Sequence, residues 1–284
     1  MENGGMVKER ILIGMQAETP VHVGAGESSG FVDNPFMRES TTSYPVIPGS
    51  GLKGAFKEKF KEKFKKGIDK TKIETKIENM FGKEDNAGCL VFSDARLLLL
   101  PVRSLTDNYK WLTCPYIVER LNRALARLKD IDVKDSPIEV DKRTAICNGS
   151  GNLYLEERQF EIKNTDISSI VNMFKKFMNP LSQKRLENQL VILSDDDFKW
   201  FAQYGLQVNA RNILNDNKTS ENLWYEETVP VDSIFYTLIF SRFNNGKECG
   251  IEEFSNMIKT TPYIQIGGNE TIGQGWFNII PIDW

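Results

Sequence analysis

Apolar and polar residues alternate from Lys8 to Glu18, with Ile11, Ile13 and Met15 on one face, the period of a half-buried strand. The pattern then breaks. Pro20 to Pro48 carries prolines and three glycines, Gly24, Gly26 and Gly30, which argue against continuous helix. From Leu52 the period becomes helical. Leu52, Ala55, Phe56, Phe60 and Phe64 form one stripe, lysines take the other faces, and Gly49 or Ser50 stands at the N-cap. Gly67 to Lys83 is charged and reads as a mobile segment. Cys89 to Val102 (CLVFSDARLLLLPV) is short and strongly apolar, a buried strand or strand pair. Cys114 to Lys129 repeats Ile117, Val118, Leu121, Leu125 and Leu128 at helical spacing.

Farther on, Ile131 to Glu161 alternates short β-like runs with polar turns around Asn148-Gly149-Ser150-Gly151-Asn152. That centre is a hairpin-tip signal, so Ser136 to Glu161 is expected to project from the core as a β-hairpin. Ile167 to Phe177 and Asp195 to Tyr204 read as helices around an apolar strand, Leu190 to Leu193. Ala210 to Glu221 is polar and loop-like, making 162–227 a mixed helical and loop insertion. Thr228 to Phe243 is a strand, Ile251 to Lys259 a short helix, and Tyr263 to Ile266 and Trp276 to Ile280 are strands around a glycine-rich loop. The coarse order predicts an α+β fold: a ferredoxin-like (RRM-like) βαββαβ core with large insertions, as one domain over residues 1–284. Sheets of this kind often bind RNA, although a fold alone does not give a function.

Composition narrows this picture. At 40% hydrophobic and 26% charged, the 284 residues have the make-up of an ordinary soluble globular protein. Cys89, Cys114, Cys147 and Cys249 show no CxxC spacing, which argues against zinc and against a disulfide framework and predicts reduced thiols. The apolar run ILIGM is too short for a signal core, and Ala95 to Val102 is too short to span a bilayer and contains Arg96, so a cytoplasmic protein without membrane contact is expected. The net charge of −3 counts against non-specific nucleic-acid binding. Gly51 to Ile77, however, holds ten lysines against four acids, a local positive patch that would attract a polyanion.

Four constellations could carry chemistry. The loop Gly267-Gly268-Asn269-Glu270-Thr271-Ile272-Gly273-Gln274-Gly275 could cradle a phosphate on its backbone N–H groups, or could be a turn with glycines for geometry alone. It lacks the Lys-Ser/Thr of a Walker loop, and it leads into a strand where a dinucleotide fingerprint would open a helix. Pro48-Gly49-Ser50-Gly51-Leu52-Lys53-Gly54 is either an anion-binding helix start with Lys53 in its first turn or a plain capping turn. His22, the single histidine, could move a proton, and Asp33 could hold a divalent metal; equally, both could be ordinary loop residues. Leu223-Trp224-Tyr225-Glu226-Glu227 pairs carboxylates with aromatics, or is a strand edge with exposed acids.

These motifs also occur in a recognisable order. TPVHVGAGESSGFVDNPFMRE, YPVIPGSGLKGAF, GCLVFSDARLLLLPVRS, LWYEE and IGGNETIGQG together resemble the RAMP superfamily, from about Ile11 to Ile280. Within it, they are most similar to the repeating backbone subunit of the type III-B CRISPR RNA-targeting effector, the Cmr complex. The resemblance implies copies that self-associate as a helical backbone along a CRISPR guide RNA, with other effector subunits as partners and a paired target RNA as substrate. It further implies that the hairpin at 136–161 acts as a thumb displacing a base at intervals, and that Asp33 cuts beside each displaced base. A divalent metal ion, Mg2+ or Mn2+, would be held at Asp33, with His22, Glu226 and Glu227 as helpers. Arg38, Ser50, Lys53, Lys57, Gly267, Gly268, Thr271, Gly273 and Gly275 would contact RNA. Two alternatives stay open: a metal-independent, guide-processing endoribonuclease relying on His22, and an architectural RNA-binding subunit that cleaves nothing.

Overall fold

The computed structural model describes residues 10–28, 30–64, 70–129, 138–242 and 249–282. The first half of the chain forms β1 (Arg10–Ala17), β2 (Val46–Ile47), α1 (Gly49–Phe64), α2 (Lys70–Phe81), β3 (Leu90–Phe92), β4 (Ala95–Arg103), β5 (Tyr109–Thr113) and α3 (Pro115–Lys129). The middle forms β6 (Thr144–Ile146), β7 (Asn152–Leu155), β8 (Arg158–Lys163), α4 (Ser168–Lys175), α5 (Pro180–Gln189), β9 (Leu190–Leu193) and α6 (Asp195–Tyr204). The remainder forms β10 (Gln207–Leu214), β11 (Ser220–Thr228), β12 (Ile234–Ser241), α7 (Ile251–Thr260), β13 (Tyr263–Gln265) and β14 (Trp276–Ile282).

All strands but two join one mixed sheet in the order β13-β14-β1-β12-β4-β5-β9-β6-β8-β7, with β2 also on β4 and β3 also on β12. The α+β class expected from the sequence is what the chain adopts. β14, β1, β12 and β4 are antiparallel neighbours, while β5–β9 and β6–β8 are parallel. β10 and β11 form a separate two-stranded ribbon.

The apolar stripe of α1 explains its packing. Leu52, Phe56 and Phe60 are buried, and Phe56 meets Phe254 of α7 edge-on with ring centroids 5.2 Å apart. Each buried phenylalanine contributes about 2–3 kcal/mol of hydrophobic stabilisation. The segment after α4 lies so close to β1 that a Cβ on Gly14 would stand 2.6 Å from the Phe177 carbonyl oxygen, so only glycine fits there. Gln16, two residues on, donates to the Ser182 hydroxyl and to Asp232, and accepts from the Asn179 N–H.

The structure corrects several expectations. Residues 138–161 of the expected hairpin (136 and 137 lie outside the described residues) belong to the edge of the large sheet. The hairpin turn falls at Glu156-Glu157, with Leu155 opposite Arg158. Leu153, Leu155 and Phe160 are buried, and this apolar face binds the hairpin to the sheet. The Asn148–Asn152 glycines serve the crossover from β6 to β7 instead. The polar stretch 210–221 is a ribbon, β10–β11, turned by Asn215, whose side-chain oxygen accepts from the N–H groups of Asn217 and Thr219. Most of the charged stretch 67–83 is helix α2 (65–69 are outside the described residues). Its buried Ile77, Met80 and Phe81 anchor it to the core.

Two of the four thiols are not reduced. Cys89 and Cys249 form a disulfide across 160 residues of sequence, whereas Cys114 and Cys147 are free and buried. Distant spacing hid the pair, because the fold brings the ends of two unrelated loops together. Closing so long a loop restricts the unfolded chain and stabilises the fold by up to about 5 kcal/mol. Reduction, or Cys249→Ser, is therefore expected to lower the urea midpoint of the protein. An unchanged midpoint with and without dithiothreitol would show that the bond constrains nothing.

Candidate functional site

The site is assembled on the outer edge of β11, the edge that β10 does not occupy. A short parallel bridge joins Asn34 to Glu226. Asn34 donates to the Tyr225 carbonyl at 3.0 Å and accepts from the Glu227 N–H at 3.0 Å. On one side of this bridge, Asp33 Oδ2 accepts from the Tyr225 N–H at 2.7 Å. On the other, His22 Nδ1 lies 2.7 Å from the Glu227 carbonyl oxygen. A carbonyl can only accept, so Nδ1 carries a proton, and in the neutral ring Nε2 is the acceptor. Asp33 and His22 thus hold backbone groups two residues apart on one strand, a separation of about 7 Å. The exposed ring of Phe31 stacks on Tyr225 beside them, with centroids 6.2 Å apart.

The two glutamates diverge, as successive residues on a strand must. Glu226 is buried, receiving hydrogen bonds from Asn269 Nδ2 and from Arg211 at 3.3 Å. Glu227 is also buried. It accepts from the Phe36 N–H at 2.9 Å and pairs with Arg38 at 2.7 Å. Arg38, expected at the RNA, has its guanidinium directed inward: it also donates to the carbonyls of Ser43 at 2.9 Å, Ala202, and Gln203 at 3.3 Å. The exposed acids expected on this strand edge are therefore internal braces.

The glycine loop reaches the same place from below. Gly268 N–H donates to the His22 carbonyl at 2.8 Å. Gly267 has φ +93°, and a Cβ there would lie 2.2 Å from that carbonyl oxygen, so glycine is required twice over. Gly275, buried under the loop, donates to the Pro20 carbonyl at 2.9 Å. Thr271 and Gly273 are exposed on a single 3-10 turn, Glu270–Ile272, at the loop's outer rim.

α1 forms a second region. Asp94 Oδ1 accepts from the Gly49 N–H at 2.8 Å and so caps the helix start that was expected to meet an anion. Ser50 is exposed in the first turn. Lys57 donates to the Gly82 carbonyl at 2.9 Å. Burial, and then the neighbouring Arg242 and Lys57 charges, hold the Lys53 ammonium below the usual lysine range. A phosphate beside Lys53 would relieve that repulsion. A groove of about 420 Å3 links the two regions, with Gly51 and Gly54 of α1 on one wall and Gly267 and Trp276 on the other.

The structure therefore brings His22, Asp33, Glu226, Glu227, Gly267 and Gly268 together and leaves Ser50, Lys53 and Lys57 on a neighbouring surface. Tyr225, Phe31, Asn269 and Arg211 complete the site without having been singled out. Tyr225 acts through its backbone, which no side-chain motif reveals, whereas Asn269 sat in view inside the glycine loop. Among the described residues, no three His, Cys, Asp or Glu side chains cluster as a metal site. Of the three acids expected at the site, Asp33, Glu226 and Glu227, Asp33 presents the exposed carboxylate, which suits an ion that takes its other ligands from water and phosphate.

Removing the Glu227 carboxylate would strand Arg38 in a largely dry setting. Glu227→Ala is expected to destabilise the protein by about 3 kcal/mol in urea unfolding, at the low end for a buried pair because Arg38 keeps some contact with water. A loss below about 1 kcal/mol would remove Glu227 from this bracing role.

Comparison with known proteins places this arrangement. A family model described as the RAMP superfamily matches residues 15–278. The CRISPR system Cmr endoribonuclease Cmr4 of Pyrococcus furiosus is 32% identical over 288 residues, covering 94% of each chain. The CMR subunit Cmr4 of Saccharolobus solfataricus is 26% identical, covering 95% of this chain and 94% of the relative. The crystal structure of oligomeric Cmr4 from P. furiosus superposes with a TM-score of 0.75 at 26% identity over 98% of both chains. A chain of the type III-B Cmr-beta complex bound to cognate target RNA shares the fold, with a TM-score of 0.74 at 22% identity over 96% of this chain and 97% of that one. No helix among the described residues is long and apolar enough to cross a membrane. By sequence and by structure alike, the chain belongs to the RAMP superfamily and, within it, to the family of the Cmr4 proteins.

Proposed function

We propose that the protein is the guide-RNA-binding backbone subunit of a cytoplasmic type III-B CRISPR effector and that it cleaves target RNA paired to the guide. Copies repeat along the guide through a heterologous, non-closing interface, the geometry a repeating subunit needs. The antiparallel block β14-β1-β12-β4 with α1 and α7 is the ferredoxin-like core. The ribbon β10–β11, rather than 136–161, is the thumb that displaces a base, because it alone stands apart from the large sheet and ends beside Asp33. Lys53, Ser50, Lys57 and the rim of the glycine loop hold the guide backbone.

The observation that carries the reading is the exposed carboxylate of Asp33, pinned by one oxygen to the Tyr225 N–H on the strand of the proposed thumb. A nucleotide displaced there is freed from the helical stack, and its 2′-hydroxyl can swing in line with the adjacent phosphorus. Positioning of that kind supplies much of the rate in a reaction between groups already joined. The 2′-oxygen forms a bond to phosphorus as the bond to the 5′-oxygen breaks, leaving a cyclic phosphate and a 5′-oxygen that takes a proton from water to become the 5′-hydroxyl. Asp33 takes the 2′ proton, or would hold a metal if one binds there, and the Nε2 face of His22 is the second proton acceptor at hand. A divalent metal bound at Asp33 would supply charge stabilisation at the phosphate. Glu226 and Glu227 act as positioning residues through β11.

The reconstituted complex tests this with Asp33→Ala. The wild type is expected to give a regularly spaced ladder of target fragments that disappears with chelator, and the variant to bind target at wild-type affinity while losing at least about a hundredfold in cleavage rate. Cleavage by the variant at the wild-type rate would make Asp33 structural. A ladder that survives chelator but is lost in His22→Ala would favour a metal-independent reaction.

The ribbon has its own test. Replacing 212–223 with a short turn, which keeps Arg211, Tyr225 and Glu226, is expected to abolish the regular spacing and slow cutting at every site, while the guide stays bound. An unaltered ladder would remove the ribbon from the displacing role.

A further inference from the structure

A second cluster of cations lies outside the site described above. Arg120, Arg123 and Arg127 follow one another along one face of α3, and Arg96 approaches from β4. With Asp94 and Tyr236 they line a cavity of about 210 Å3. Arg123 and Arg127 are exposed, whereas Arg120 is not. Arg120 is only 4% exposed, and its Nη1 pairs with the Glu39 carboxylate at 2.7 and 2.8 Å. Its buried Nε and Nη2 have no carboxylate or carbonyl partner and share the Tyr236 hydroxyl with Arg96. One hydroxyl oxygen cannot match the N–H groups of two guanidinium forks, and buried donors short of acceptors are destabilising, which calls for a further group of oxygens here.

The local acids do not supply it. Both Glu39 oxygens serve Arg120 Nη1, and Glu39 Oε2 also accepts from the Thr42 hydroxyl. Asp94 caps the Gly49 N–H, and Glu119 pairs with Arg123 on the outer surface at 3.2 Å. Arg96 and Arg127 form no ion pair among the described residues and are exposed at the mouth.

We propose that this pocket binds a phosphate group. Planar guanidinium forks match the oxygens of a phosphate in pairs, and Arg96 and Arg127, which form no ion pair among the described residues, leave the cluster with positive charge in excess of its acids. Asp94 lines the pocket and caps the start of α1, so the pocket lies beside that helix start. The source of the phosphate is either the backbone of a bound RNA strand, which rests on the RNA-binding reading above, or a free phosphate, which does not.

The test uses the full chain and the triple variant Arg96→Gln/Arg123→Gln/Arg127→Gln, leaving Arg120 and its Glu39 partner in place. Thermal stability is measured in inorganic phosphate against chloride at equal ionic strength, and single-stranded RNA binding is measured across a salt series. Phosphate is expected to raise the melting temperature of the wild type and not of the variant. The slope of log affinity against log salt is expected to fall by about 0.7 in the variant, the value for one phosphate no longer neutralised. Loss of both effects assigns the pocket to an RNA phosphate. Loss of the phosphate shift with an unchanged RNA slope assigns it to a free phosphate, and so does a phosphate shift in a wild type that binds no RNA, which would sink the RNA-binding reading and leave the pocket standing. A reduced slope without a phosphate shift means that the strand is needed to seat the group. If wild type and variant agree in both measurements, the proposal is overturned; a change in self-association alone would point to an acidic side chain of another copy as the occupant.

Discussion

The outer edge of β11 is the constraint on which the rest of the site depends. A strand edge presents backbone donors and acceptors at fixed intervals, and buried ones must be matched. Here the Tyr225 N–H, the Tyr225 carbonyl, the Glu227 N–H and the Glu227 carbonyl meet Asp33, Asn34, Asn34 again and His22. Val21 and Val229 then continue the pairing at 2.9 and 3.0 Å. The loop from Thr19 to Pro48 contains little regular structure, yet it is not free to wander. Its conformation is dictated by one strand, and that strand fixes where the carboxylate and the imidazole stand relative to one another.

The glutamates show how the same strand is made rigid. Glu226 ties it to Asn269 in the glycine loop, and Glu227 ties it to Arg38 and to Phe36. Three segments far apart in sequence are thereby clamped through two adjacent carboxylates facing opposite ways. A carboxylate engaged in this manner is poorly placed to move protons or bind metal, while the exposed Asp33 keeps one oxygen open. Buried acids and an open acid bonded to neighbouring backbone positions are therefore divided by environment alone into groups that brace and one that stays available.

Much of the fold could be read from periodicity because its elements are amphipathic in simple ways. α1 and α3 declared themselves through stripes such as Leu52, Phe56 and Phe60, and β1 through alternation. The errors came where a local signal had two structural uses. Gly149 and Gly151 give the chain freedom to turn, which suits a crossover as well as a hairpin tip, and only the burial of Leu153, Leu155 and Phe160 decides between them. Asn215-Asp216-Asn217-Lys218 between Leu214 and Leu223 was a usable turn signal, masked by the polarity around it. Of the site, the motif residues were visible and their partners were not. Tyr225 contributes a backbone N–H, Arg38 was drawn inward by acceptors from three segments, and Cys89 and Cys249 meet only in the folded chain.

The ribbon β10–β11 carries the last consequence of the shared edge. A two-stranded ribbon is marginal by itself in water, and this one leaves Val208, Ile213, Leu214 and Leu223 exposed. It is held at its base, where Arg211 reaches Glu226 and Asn209 reaches Thr228, and by the bonds that Asp33 and Asn34 make to β11. Whatever displaces the ribbon strains those bonds, and the one to Asp33 is among them. Under the proposed function, an element that wedges into a nucleic-acid duplex through exposed apolar residues would be mechanically continuous with the carboxylate proposed to act beside it. Displacement of a base and alignment of that carboxylate would then need no separate signal between them, because both would be set by one strand whose two edges hold the ribbon and the loop.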